Sequence, residues 1–221
     1  MLVFFSVQQG TKLHCNTPVD LGFVMDSSGS LQSEYHKEKQ FVKAIADAFN
    51  VGDIGSRAGV VTFSHQAEHS IKLNDNIDIF SFREAVNAIP HMGYTTRIDR
   101  GLRMAQSEIF LSANGGREGV PKVLVLLTDG SQTPSHGAED PSVISKELRE
   151  SGVKLIVIGV GKGVNSTELL KIAGSDDKVY TADSFDELIR GDFIDKITAA
   201  SCSGKSLLLI INVLYFEIIM F

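Results

Sequence analysis

Val19-Asp20-Leu21-Gly22-Phe23-Val24-Met25 is an almost uninterrupted apolar run, and it stops on Asp26-Ser27-Ser28-Gly29-Ser30. A run this short, bounded by turn residues, reads as a strand buried on both faces. A second run, Val123-Leu124-Val125-Leu126-Leu127, ends the same way on Thr128-Asp129-Gly130. Two buried strands therefore each deliver an aspartate to a loop. Open α/β sheets bind ligands in the crevice at the carboxyl ends of their strands, where the strand order reverses. Asp26, Ser28, Ser30 and Asp129 are all oxygen donors, the ligand type that hard divalent cations such as Mg²⁺ take.

Working outward, apolar residues Phe41, Val42, Ile45, Ala46 and Phe49 recur at helical spacing between Ser33 and Asn50, with Ser30 as a candidate cap. Ala58–Ser64 reads as a buried strand, His69–Leu73 as a short one, and Ile79–Ile89 and Ile98–Phe110 as helices. Asn114–Val120 reads as a loop, and Pro121 opens the second long strand. Helix Pro141–Ser151, strand Val153–Val160, helix Ser166–Ala173, strand Lys178–Thr181 and helix Phe185–Ala199 follow. Strands that alternate with helices and read as continuous apolar runs predict a doubly wound α/β domain with a mostly parallel sheet covered on both faces.

The chain has 221 residues, enough for one well-buried domain and short for two. We divide it into an N-terminal segment 1–18, the domain 19–202 and an apolar tail 203–221. A net charge of −6 and the lack of a Lys/Arg run argue against a nucleic-acid partner and suit a cation. The apolar start, Met1–Val7, lacks the basic flank of a signal peptide. The tail Leu207–Phe221 is shorter than the roughly 20 residues of a membrane-spanning helix and carries Asn212 and Glu217; it reads as a partial anchor or as an artefact of an incomplete gene model.

Cys15 and Cys202 are the only two cysteines, and they bracket the first strand and the last helix. They lack the paired spacing of a zinc site or a redox Cys-x-x-Cys. The expectation is a disulfide in an oxidising, extracellular compartment, the alternative being two free thiols.

Asp26, Ser28 and Ser30 alternate along a strand-to-helix turn, and Gly93-Tyr94-Thr95-Thr96 opens a helix between the two aspartate loops. In that context the pattern resembles the metal ion-dependent adhesion site of von Willebrand factor type A domains, and the likeness runs from about Asp20 to Cys202. It extends through Gly59–Ser64, Thr96–Leu102, Leu127–Gly130 and Ile156–Gly161. The resemblance implies that Ser28 and Ser30 coordinate a cation directly. Asp26 and Asp129 would hold it directly or through water, and Thr96 would complete the set, with Thr95 as its alternative. Ser27, Gly29, Thr95 and Gly130 would shape the loops. Ile98 stands where many relatives carry Thr, a departure that touches no ligand.

The implied ion is Mg²⁺, or Mn²⁺ or Ca²⁺. Three hydroxyls and two carboxylates leave a coordination place free for a Glu or Asp of a partner. The implied function is an extracellular adhesion module for a matrix or cell-surface protein, collagen among the candidates. The pattern is most similar to the type found in matrilins and microfibrillar collagens. The alternatives are a self-assembling structural domain and a Mg²⁺-dependent hydrolase or phosphatase. The sequence offers little to an enzyme. Ser28 stands where an aspartyl phosphatase needs a second Asp, and no G-x-S-x-G elbow, P-loop or dinucleotide fingerprint occurs. Taken singly, Asp26 and Asp129 also read as helix caps.

His65, His69, His91 and His136 show no ligand spacing and read as surface or loop residues. Arg190-Gly191-Asp192 falls within the expected last helix, so this integrin-type tripeptide is not expected in an exposed loop. Asn165-Ser166-Thr167 is a glycosylation sequon, or simply a helix cap.

Overall fold

The computed structural model describes residues 14–202, apart from 16 and 77. The expectations for Met1–Val7 and for the tail from 203 lie outside the described residues. Six strands form one sheet in the order β3-β2-β1-β4-β5-β6. They are β1 (Asp20–Asp26), β2 (Arg57–Phe63), β3 (Ala67–Ile71), β4 (Lys122–Thr128), β5 (Lys154–Val160) and β6 (Val179–Ala182). All pairings are parallel except β2–β3. The doubly wound fold expected from the sequence is the fold observed.

The helices are α1 (Tyr35–Ala48), α2 (Ile79–Ala88), α3 (Ile98–Met104), α4 (Pro141–Glu150), α5 (Ser166–Ala173), α6 (Phe185–Leu188) and α7 (Gly191–Ser201). They divide between the two faces. Leu21, Phe23 and Met25 of β1 join the core that α1, α2, α6 and α7 cover, while Val24 joins the core under α3, α4 and α5. This alternation along a strand buried throughout is why its sequence, between Asp20 and Asp26 at its two ends, carries no polar position to mark an outside face.

Neighbouring strands β1 and β4 are the point where successive connections leave in opposite directions, since β2 lies beyond β1 and β5 beyond β4. A crevice at their carboxyl ends follows from that topology. The register pairs Met25 with Leu127, so Asp26 emerges abreast of Thr128 and one residue short of Asp129. The close fit of α3 beneath this edge depends on Gly101, where a Cβ would fall 2.7 Å from the Phe63 ring and 2.9 Å from Val24.

Four elements differ from the sequence reading. Ser30 does not cap α1: a short 3-10 turn, Gly29–Leu31, intervenes and α1 begins at Tyr35 without a side-chain cap. Strand β3 starts at Ala67, two residues before the expected His69, because it pairs antiparallel with Phe63 across a tight turn. Helix α3 ends in a π turn, Ala105–Ile109, where Asn114 Nδ2 donates to the Glu108 carbonyl at 2.9 Å. The expected helix Phe185–Ala199 is two helices. Leu188 and Phe193 are both buried but five residues apart, about 140° out of phase on one helix, and the extended Arg190 between α6 and α7 restores the phase. Arg190-Gly191-Asp192 consequently straddles the exposed start of α7, Arg190 extended ahead of the helix and Gly191 and Asp192 in its first turn.

A disulfide joins Cys15 to Cys202, with Cα atoms 5.7 Å apart. Among the described residues no helix is long and apolar enough to cross a membrane.

Candidate metal centre

Three loops meet at the β1–β4 crevice. The first follows β1. Asp26 is fully buried, and each of its carboxylate oxygens is held: Ser28 N–H donates to Oδ1 at 2.9 Å and the Thr128 hydroxyl donates to Oδ2 at 2.6 Å. This turn sends the chain back over its own aspartate, so the Ser28 and Ser30 hydroxyls lie 3.2 Å apart. The Ser30 hydroxyl in turn donates to Asp129 Oδ1 at 2.9 Å. Ser28, Ser30 and Asp129 thus form one contiguous oxygen cluster, with Asp26 directly beneath.

The second loop carries Gly93–Thr96. It is stitched to the first by backbone bonds, Gly93 N–H to the Ser27 carbonyl and Gly29 N–H to the Tyr94 carbonyl, each 2.8 Å. The Ser27 hydroxyl accepts from Met92 N–H at 2.7 Å. Gly93 and Tyr94 both take positive φ, 78° and 70°, which turns Thr95 outward and Thr96 inward. Thr96 is half-buried, and its Oγ1 lies 3.5 Å from where a Gly130 side chain would begin. That places Thr96, and not the exposed Thr95, beside the third loop, which follows β4. Backbone pairing of Thr133 N–H with the Thr96 carbonyl at 2.8 Å fixes the two together.

The electrostatics are those of a site short of positive charge. Burial pushes the Asp26 carboxyl up to about 6 against the lowering effect of its Thr128 and Ser28 hydrogen bonds, and Asp129 raises it further. Burial likewise raises Asp129, opposed by the Ser30 hydrogen bond. Below them Glu38, fully buried on α1, accepts the Asp26 N–H at 3.1 Å through Oε1, while Oε2 has no partner among the described residues. Burial, then the Asp26 charge, drive Glu38 well above the usual carboxylate range. Among the described residues no lysine or arginine is hydrogen-bonded to any of the three carboxylates.

These residues fit a hard divalent cation. The donor set is all oxygen, it mixes hydroxyls with carboxylates, and its uncompensated negative charge is the kind a bound cation offsets. Among the described residues no three His, Cys, Asp or Glu side chains gather as a metal cluster; the candidate set here is two carboxylates with three hydroxyls. Beside the cluster a groove of about 360 Å³ runs between Ser30, Asp129, Gly161–Gly163 and Phe185.

All five residues singled out in the sequence border this crevice. Glu38 was not anticipated, although its position three and four residues before Phe41 and Val42 puts it on the buried stripe of α1, where a carboxylate is unusual. Thr128 also gained a role, orienting Asp26. The histidines divide. His91 is half-buried, its Nε2 2.8 Å from the Ser28 carbonyl, so it braces the first loop rather than standing free on the surface. His65 packs against Tyr94 with ring centres 4.6 Å apart and the ring planes tilted by 56°. Asn165 does cap α5.

Comparison with known proteins agrees with this fold. Residues 20–195 match the von Willebrand factor type A domain. The collagen alpha-6(VI) chain of Mus musculus is 34% identical over 193 residues, covering 85% of this chain and 8% of its own. Matrilin-1 of Homo sapiens is 32% identical over 164 residues, covering 72% of this chain and 32% of its own. This chain therefore spans only a minor part of the length of these relatives. Among solved structures, proximal thread matrix protein 1 from the mussel byssus, with a zinc-occupied MIDAS motif, superposes with a TM-score of 0.74 at 34% identity, covering 84% of this chain and 47% of that one. The chain belongs to the von Willebrand factor type A domain family.

Proposed function

We propose that residues 19–202 form a cation-dependent adhesion module of the extracellular matrix or cell surface. In this reading Ser28, Ser30 and Thr96 supply hydroxyl ligands, and Asp26 and Asp129 supply carboxylates, to Mg²⁺ or, in its place, Mn²⁺ or Ca²⁺. The observation that carries it is the contact chain Ser28 Oγ–Ser30 Oγ–Asp129 Oδ1, at 3.2 and 2.9 Å, at the strand-order switch point. The cation would supply a concentrated positive charge with a free coordination place, suited to a Glu or Asp carboxylate of a protein partner.

The protein's own residues do the positioning. Thr128 and Ser28 N–H hold Asp26 so that it meets the cluster from below, and the Gly93–Tyr94 turn presents Thr96 from the side. The groove at Gly161–Gly163 and the exposed Tyr94 on the opposite flank surround the free place and would select which acidic segment is accepted.

Extracellular residence is supported by the Cys15–Cys202 disulfide and by kinship with a collagen chain, a matrilin and a byssal thread matrix protein. Those relatives favour a binding module over an enzyme, and matrix proteins, collagen included, as the first partners to test. The experiment is solid-phase binding to purified matrix proteins in Mg²⁺ and in EDTA, with Asp26→Ala in parallel. Binding that is lost in EDTA and in the variant supports the reading. Binding indifferent to both overturns it.

A further inference from the structure

Asn165-Ser166-Thr167 is the only Asn-x-Ser/Thr triplet in the sequence. The structure shows how the two ends of the Asn165 amide are used. Oδ1 accepts from Thr167 N–H at 3.0 Å and from Glu168 N–H at 3.2 Å, capping α5. Nδ2 makes no hydrogen bond to any described residue, and both Asn165 and Thr167 are exposed. The atom a sugar would occupy is therefore free, and the atom the fold needs is the other one.

We propose that Asn165 carries an N-linked oligosaccharide that fences the α5 flank of the metal face. The donor is a polyprenyl-pyrophosphate-linked oligosaccharide. Nδ2 bonds to the anomeric carbon of the first sugar, the pyrophosphate leaves with the electrons of the broken C–O bond, and one Nδ2 proton goes to solvent. No redox change occurs, and the linkage keeps the amide carbonyl. The α5 cap thus survives glycosylation intact.

Position gives the glycan its consequence. Gly163, two residues before Asn165, lies so close to the loop after β4 that a Cβ there would fall 2.5 Å from the Asp129 carbonyl. Glu168 Oε2 accepts from Gln132 N–H at 3.1 Å, tying the first turn of α5 to the same loop. Asn165 and Thr167 also line a groove of about 430 Å³ running towards the start of α4, whose polar wall includes Glu139 and Lys171. An oligosaccharide rooted there stands beside the cation cluster without covering it. A partner would then approach from the side of Tyr94, which is 74% exposed on the opposite loop.

The proposal rests on the extracellular reading and not on the metal. The test sends the full chain through the secretory pathway of a eukaryotic cell and maps its peptides by mass spectrometry. The expected result is a glycan on the Asn165 peptide, released by a peptide N-glycosidase with conversion of Asn165 to Asp. Asn165→Asp and Thr167→Ala should be secreted without it, the first retaining a cap of equal strength. An unmodified Asn165 in secreted protein whose Cys15–Cys202 disulfide has formed overturns the proposal. The Mg²⁺-dependent rise in melting temperature should be the same with and without the glycan. A rise seen only after deglycosylation would overturn the flanking placement. Loss of partner binding in the EDTA experiment leaves the glycan result untouched, so the two readings fail separately.

Discussion

Replacing Asp26 by Asn should stabilise the metal-free protein and abolish its response to Mg²⁺. The carboxyl, fully buried, is raised from 3.8 to about 6. Its folded-state value lies above its unfolded one, so above pH 6 ionisation costs the folded state stability, and the cost fades as pH falls from 6 towards 4. At about 1.4 kcal/mol per unit that cost is about 3 kcal/mol at pH 7.5. Asn keeps the shape: its Oδ1 can accept from Ser28 N–H and its Nδ2 can donate to the Thr128 hydroxyl. That hydroxyl can turn to the Gly130 carbonyl, already 3.3 Å away. The hydrogen bonds lose their charge assistance, which takes back about 1 kcal/mol.

A net gain of about 2 kcal/mol corresponds to a rise of roughly 4–8 °C for a domain of this size. In Mg²⁺ the order should reverse. At a hundredfold excess over Kd the wild type gains about 2.7 kcal/mol and the variant nothing. The assay is differential scanning calorimetry in EDTA and in Mg²⁺ at pH 7.5 and pH 5. In EDTA the wild type should also gain stability on acidification, with Glu38 acting in the same sense as Asp26. A variant that melts below wild type in EDTA, or that keeps a Mg²⁺ increment, would refute the reasoning.

Removing the disulfide with Cys15→Ala and Cys202→Ala should cost up to about 5 kcal/mol in the chain-entropy model, because the bridge closes a separation of 187 residues. The melting temperature should fall by about 10–20 °C, and a change under about 3 °C would show that the loop entropy is not realised. Gly101→Ala should destabilise by about 1–3 kcal/mol in urea, since the added methyl meets the Phe63 ring at 2.7 Å and this outweighs the gain in helix propensity. An unchanged or higher midpoint would mean that α3 can lift off the sheet at no cost.

The buried strands and the residues at their ends were legible because burial on both faces removes polar interruptions, leaving Asp26 and Asp129 as sharp boundaries. The helix registers were less so. The break at Arg190 follows from a phase conflict between Leu188 and Phe193, visible only once both are known to face one core. Ser30 illustrates the opposite failure. A serine ahead of a helix reads as a cap, yet here its hydroxyl is taken by Asp129, 99 positions along the chain, a partner no local pattern announces. Glu38 was hidden for a similar reason, as the only hydrogen bond of its side chain among the described residues comes from the backbone N–H of Asp26 on the neighbouring strand.

The bond between Cys15 and Cys202 also decides how the domain bears load. With entry and exit Cα atoms 5.7 Å apart and covalently joined, tension applied to the chain on either side passes through the S–S bond and bypasses the sheet. The loops at Ser28, Thr96 and Asp129 are thereby shielded from any pull along the polypeptide. Reduction would remove the shield and make available the contour length of the enclosed chain, 187 residues of separation or about 600 Å when fully extended. The domain is in this sense a knot in a rope: it stays small under tension while the bridge is closed, and becomes slack to be drawn out once it opens.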